Sequence, residues 1–202
     1  KMSKSLSNFY TVQDVLDKGF RLSALRYILL SAYYRKQLNF TWIGLEQAEE
    51  ALRRITDFLG RVEGLAAGDA HPAVTARVKE AIDAFDAALR DDLNTAAGLG
   101  AIFDLIRALN IAMDAKQVGK GDAGEIIAAF DHFDRVLGVL SLRRAEDATP
   151  PIPQVEIDTA IQARQDARRR RDFAEADRIR EDLLAKGVIL EDFAQGTRWK
   201  RK

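Results

Sequence analysis

Apolar residues recur at alternating steps of three and four along most of the chain, the spacing that places side chains on one face of a helix. Leu45, Ala48, Leu52, Ile55, Leu59 and Val62 form one such stripe and predict a helix over residues 42–64. Val74, Val78, Ile82, Phe85 and Leu89 form a second, with Pro72 in the first turn, where a missing N–H does no harm. A third runs Leu99, Ile102, Ile106, Leu109 and Met113, and a fourth Ile126, Phe130, Phe133, Leu137 and Leu140. Short loops containing Gly and Asp join the four, which predicts an antiparallel bundle. Burying a Leu, Ile or Phe is worth about 1.5–3 kcal/mol, so the stripes can offset much of the ordering entropy of this region.

Other patterns flank the bundle. Thr11 and Asp14 have the spacing of a capping box, with Asp in place of the usual Glu, and open a short helix before Gly19. Leu25, Ile28, Leu29 and Ala32 give the next helix its apolar face. After the bundle, residues 148–153 contain three of the four prolines and read as a linker. Beyond it the pattern predicts a helix over 156–171, a second capping box at Asp172 and Glu175, and a helix with Ala176, Ile179 and Leu183 inward. The tail reads as strands at 188–192 and 197–199 around a Gly-containing turn. The expected fold is mainly α: an antiparallel helical bundle with a small C-terminal module of a helix pair and a β-hairpin. Its parts are 1–40, a bundle at 41–147, the linker 148–153 and the module 154–202.

Composition narrows the chemistry. With 202 residues, 31 basic and 31 acidic side chains and 47% hydrophobic residues, the chain is neither a disordered tail nor a fibrous repeat. Zero Cys excludes disulfides, thiol catalysis and thiolate zinc sites, and the two histidines, His71 and His132, are expected on different helices, so no metal site is expected. No uninterrupted apolar run reaches the roughly 18 residues of a membrane span, and no signal pattern opens the chain; the expectation is a cytoplasmic location without membrane contact. The neutral total hides segregation. Residues 1–40 carry seven basic against two acidic side chains, 41–153 carry twelve against nineteen, and 154–202 carry twelve against ten. A polyanion would be met at the two ends rather than the middle, unless these charges are merely solvated helix faces.

Lys1-Met2-Ser3-Lys4-Ser5 sets two lysines three apart among hydroxyls, a cationic arm able to clamp a transferring phosphate. Alone, such a run reads more readily as a loose terminus. Its sequence resembles the signature loop of class I aminoacyl-tRNA synthetases, and the chain beyond it resembles the cysteinyl-tRNA synthetase family in particular. The matching blocks are Ser5 to Phe9 with Thr11 to Leu16, Leu25 to Arg35, Leu38 to Phe40, Asp91 to Thr95, Arg171 to Arg180, and Gly187 to Asp192 with Gln195 to Trp199. They cover nearly the whole chain in the family's order. The opening loop is shared by many class I enzymes, whereas the closing block is specific.

The resemblance implies a parent enzyme that charges tRNA(Cys) with cysteine through a cysteinyl-adenylate, using ATP. Lys1 and Lys4 would be its catalytic lysines, with Lys4 on the ATP phosphates. A nucleotide-binding, zinc-containing N-terminal catalytic domain would precede this point, so the chain reads as a C-terminal fragment, inactive alone. Residues 9–40 resemble a stem-contact segment, in which Lys18, Arg21, Arg26, Arg35 and Lys36 face RNA phosphates or simply stay solvated. In the terminal module the resemblance makes Arg168, Asp177, Arg180 and Asp192 candidates for reading anticodon bases, with Phe173 and Trp199 as stacking rings. The alternatives are a solvated face for the arginine run at 168–171 and a core plug for Trp199. The implied partner is tRNA, not DNA. Two other readings stand beside it. One is a cysteine:amino-sugar ligase, which has no use for the block from Asp172 to Trp199; the other is a non-catalytic helical interaction module.

Overall fold

In the computed structural model, residues 10–149, 151–193 and 196–201 are described, which leaves Lys1 and Lys4 outside the described residues. The expected capping box forms at the start of α1 (Val12–Asp17): the Asp14 N–H donates to Thr11 Oγ1 at 3.1 Å and the Thr11 N–H donates to Asp14 Oδ2 at 2.6 Å. In α2 (Leu22–Ser31), Ala24 and Ile28 set the inward face, and Leu29, one residue around the helix, is 55% exposed. Leu29 therefore does not belong to the apolar face that the sequence suggests.

The four long stripes fold as helices. Thr41 caps α3 (Trp42–Glu63), accepting from the Gly44 N–H at 3.0 Å, and all six expected positions are buried together with Phe58. Pro72 opens α4 (Pro72–Arg90), where Val74, Val78, Ala81 and Phe85 are buried and Ile82 and Leu89 only partly so. Asn94 caps α5 (Thr95–Asp114). By length and composition alone α5 could cross a membrane, but Asp104 and Arg107 interrupt it, and Leu99, Ile102, Leu105, Ile106 and Leu109 lie in the core.

The fourth stripe holds a break that its spacing conceals. Helix α6 (Ala123–Leu137) stops at Gly138, whose φ of +59° is the left-handed conformation that glycine adopts without strain, and Leu140 begins α7 (Leu140–Ala148). The Asp134 carboxylate accepts from the N–H groups of Val139, Leu140 and Ser141, each at 2.7 Å, and Arg26 Nε donates to the Leu137 carbonyl. Both ends of the break are thus satisfied, and Leu140 reaches the core from a new helix. The core also contains Val15, Ala24 and Ile28, so residues 10–40 pack with the bundle. Its centre is aromatic: Phe58 lies 5.4 Å from Phe130 and Phe85 4.8 Å from Phe133, centroid to centroid.

The chain divides at Leu142 and Arg143 into two compact units. In the second, α8 (Gln154–Arg169) and α9 (Phe173–Ala185) pack with an antiparallel pair, β1 (Val188–Phe193) and β2 (Gly196–Arg201), in a register from Val188 opposite Arg201 to Phe193 opposite Gly196. Ile157, Leu183, Val188 and Leu190 form its core. The fold class is the expected one, helical with a terminal helix pair and hairpin. The second capping box is only half made: Asp172 Oδ1 accepts from the Glu175 N–H at 3.1 Å, but the Asp172 N–H already donates to the Ala167 carbonyl at 2.9 Å. That bond closes a tight turn through Arg171 at φ +63° and ends α8 two residues earlier than the pattern suggests.

A clasp of two loops orders one end of the bundle. The Gly121 N–H donates to Gly68 O at 2.9 Å and the Lys120 N–H to Ala66 O at 3.0 Å, so the backbones of 66–70 and 119–121 nearly touch. Asp122 seals the clasp with a side chain 0% exposed, accepting from the His71 N–H at 2.6 Å and the Gly119 N–H at 2.8 Å, with His71 Nδ1 at 2.8 Å.

Substitutions at Gly121 and Asp122 probe the clasp. A Cβ on Gly121 would stand 2.6 Å from Ala70 N and 2.9 Å from Asp69 C, both backbone atoms, whereas one on Gly100 meets nothing within 4 Å. Urea unfolding should show Gly121→Ala losing about 1–3 kcal/mol, and Gly100→Ala neutral or gaining up to ~1 kcal/mol. A Gly121→Ala protein as stable as its parent contradicts the clasp. Burial pushes the Asp122 carboxyl up, but the Gly119 and His71 donors outweigh it and hold the group below its ordinary value. A carboxylate so lowered stabilises the fold fully above its unfolded value of about 3.9 and loses that contribution as pH falls through the folded value. The stability advantage of the parent over Asp122→Asn should therefore shrink as pH falls below about 5; an advantage that grows over that acid range contradicts this.

Candidate nucleic-acid interface

Arg164 and Arg168 stand four apart on α8 and so share a stripe. Arg164 is 5% exposed and forks onto Asp192 of β1, with Nη1 to Oδ1 at 2.9 Å and Nη2 to Oδ2 at 2.8 Å. Arg168 Nη1 reaches Oδ2 at 3.0 Å, and the hydroxyl of Thr197, opposite Asp192 in the hairpin register, donates to Oδ1 at 2.8 Å. Four donors fill the roughly four acceptor positions of a carboxylate. The Arg164 fork, helped by the Thr197 hydroxyl and the charges of both arginines, holds Asp192 far below the usual carboxylate range against the opposing effect of burial.

On α9, Phe173, Asp177 and Arg180 lie on one stripe beside the inward-facing Ala176, Ile179 and Leu183. All three are exposed, Phe173 by 61%. The charge of Asp177 reaches Arg164 and, after the Asp192 contacts, adds to the strengthening of that guanidinium's hold on its proton. Arg180 has no ion pair among the described residues. Trp199 lies opposite Leu190 and packs, half-buried, on the small apolar core.

Of the six sequence candidates, then, Arg168 and Asp192 are joined directly, and the charge of Asp177 is felt at Arg164. Arg164 itself escaped the sequence reading. Its signal was available: it lies on the stripe of Ile157 and Ala167, where a charged residue is out of place. Phe193 was also missed; it is 53% exposed with the Arg198 guanidinium 5.5 Å from its ring centre. Strand alternation puts it on the hairpin face opposite Asp192.

In the first unit, the block around residue 33 meets the block around residue 92. Asp92 accepts from the Tyr33 and Tyr34 hydroxyls and from Arg35, with Tyr34 at 2.6 Å and Arg35 Nη2 at 3.1 Å. These donors, the Arg35 guanidinium foremost, hold the Asp92 carboxyl far below its usual range. Thr95 Oγ1 adds a bond to Leu30 O at 2.6 Å. Most of the cations expected to face phosphates here have partners within the protein. Lys18 lies 4.8 Å over Trp42, Arg21 is buried, Arg26 serves the end of α6 and Arg35 serves Asp92. Lys36 is exposed, without an ion pair among the described residues.

The histidines serve separate aspartates, His71 with Asp122 and His132 Nε2 with Asp86, each at 2.8 Å. Among the described residues no three metal-ligating side chains gather. With no Cys in the sequence, the residues present do not fit a zinc site.

Comparison with known proteins covers the chain almost end to end. Residues 1–50 match the model of the class I (C) tRNA synthetase catalytic domain, 84–142 the DALR domain, and 154–199 the cysteinyl-tRNA ligase anticodon binding domain. Over its whole length the chain is 39% identical to the cysteine–tRNA ligase of Protochlamydia amoebophila and 42% identical to that of Solibacter usitatus, covering 41% and 43% of those proteins. With that of Leptospira interrogans it shares 36% identity and again covers 43%. The chain thus spans about two-fifths of the relatives it matches. Models of a class I synthetase catalytic domain, a DALR domain and a cysteinyl-tRNA ligase anticodon binding domain, in order along the chain, together with identity over its whole length to part of several cysteine–tRNA ligases, make this chain similar to about two-fifths of a cysteinyl-tRNA ligase.

Proposed function

We propose that this chain is the tRNA-binding part of a cytoplasmic cysteine–tRNA ligase, and that its terminal module reads the anticodon. The observation that carries the reading is that the segment matched by the anticodon-binding model holds both the Arg168–Asp192 pair and the exposed stripe of Phe173, Asp177 and Arg180. An unstacked base needs partners for its edge and a flat surface to stack on. Asp177 can accept from the amino and imino edge of guanine, Arg168 and Arg180 can donate to base acceptors or phosphate, and Phe173 offers a ring. Trp199 is better supported as core, because it packs on Leu190 and its neighbours. In the whole ligase, Lys1 and Lys4 would meet the ATP phosphates as the cysteinyl-adenylate forms, and zinc would be held by residues outside this chain. The chain alone is then expected not to form the adenylate. The terminal module favours this reading over the amino-sugar ligase, which has no anticodon to read.

Binding to tRNA transcripts carrying a GCA or a scrambled anticodon, titrated at two salt concentrations, tests the assignment. Asp177→Ala should weaken the GCA complex by about 1–3 kcal/mol more than the scrambled one. Lys36→Ala should weaken both alike and reduce the salt slope by about 1. Equal losses for the two transcripts in Asp177→Ala contradict base reading by this residue.

A further inference from the structure

We infer that Arg164 is a positioning residue that fixes the Asp192 carboxylate for contact with a base edge. The inference rests on the anticodon reading of the terminal module. It begins with a cost. Arg164 is 5% exposed, its charge is withdrawn from water, and its Nε–H is buried without a hydrogen-bond partner among the described residues. Stability alone does not call for such a residue, since an apolar side chain of similar length in a buried ion-pair position is often as stabilising or more so.

What the guanidinium supplies instead is orientation. Its fork places one N–H on each oxygen of Asp192, which fixes the plane of the carboxylate as a single point charge could not. The remaining acceptor position on each oxygen is then met by an exchangeable donor: Arg168, whose side chain is 50% exposed, and the Thr197 hydroxyl. With all four positions occupied, an arriving pair of N–H donors must displace both Arg168 and Thr197. Arg164, buried beneath, stays. Displaced from Asp192, Arg168 keeps its full set of donors for a base acceptor or a phosphate. The charge of Asp177, on the neighbouring helix, also acts on the buried guanidinium.

The test is a double-mutant cycle on the full chain, scored by the ratio of dissociation constants for a scrambled and a GCA-bearing anticodon stem-loop. The parent should favour the GCA loop. Both Arg164→Met and Asp192→Asn should lower the ratio about fivefold or more, the lower end of one base-edge contact. The double variant should fall no further than Asp192→Asn alone, because Arg164 acts through that carboxylate. Arg164→Lys keeps the charge without the fork and should lower the ratio as well, which decides the matter if Arg164→Met does not fold. A ratio unchanged in Arg164→Met and Arg164→Lys, or losses that multiply in the double variant, overturns the inference alone. A parent ratio near one overturns the anticodon reading and this inference with it.

Discussion

An aspartate carboxylate offers about four hydrogen-bond acceptor positions, and this chain repeatedly fills them from segments remote in sequence. Asp192 takes two arginines and a threonine, Asp92 takes two tyrosines and an arginine, and Asp122 takes two backbone N–H groups and a histidine ring. Asp134 gathers three successive backbone N–H groups where α6 gives way to α7. Hydrophobic stripes explain why the helices form and which faces they bury, but a stripe leaves the helix ends and connecting loops undetermined. The carboxylates supply that determination. Each fixes one loop or strand end against another element, and the candidate interface is built around one of them.

The same distinction separates what was legible in the sequence from what was not. The bundle stripes could be read residue by residue, since their partners lie three or four positions away on one helix. The Thr11 box was legible for the same reason. Contacts such as Asp92 with Arg35 or Asp122 with His71 join residues 57 and 51 apart, and no local period announces them. Leu137 and Leu140 kept helical spacing across a real break, and only Gly138 marked it. Asp172 and Glu175 had the spacing of a capping box, yet the donor required for its second half was committed to Ala167. At the candidate site, Arg168, Asp177 and Asp192 came from family likeness. Arg164, which forks onto Asp192, was visible only as a charge on an apolar stripe.

Charge segregation needs revision in the same terms. The basic excess over residues 1–40 suggested an RNA-facing surface, but there Arg26 holds a helix end and Arg35 is paired with Asp92. In the terminal module, Arg169 and Arg178 pair within their own helices, while Arg170, Arg171 and Arg180 are exposed without ion pairs among the described residues. Of these three, Arg170 and Arg171 stand at the turn between α8 and α9, and Arg180 lies further along α9. Phosphate contacts of this kind would orient an RNA without selecting it, leaving selection to the carboxylates and rings beside them.

The proposed function depends on the Asp192 cluster and the stripe of Phe173, Asp177 and Arg180 forming one RNA-contacting surface. Backbone amide shifts of the full chain, followed by NMR during titration with a GCA-bearing anticodon stem-loop, test this without intermediate assumptions. Saturable shifts are expected, concentrated at residues 168–180, 192 and 197. Shifts confined to the opposite hairpin face, at Ile189, Glu191 and Arg198, or to residues 10–142, would contradict it.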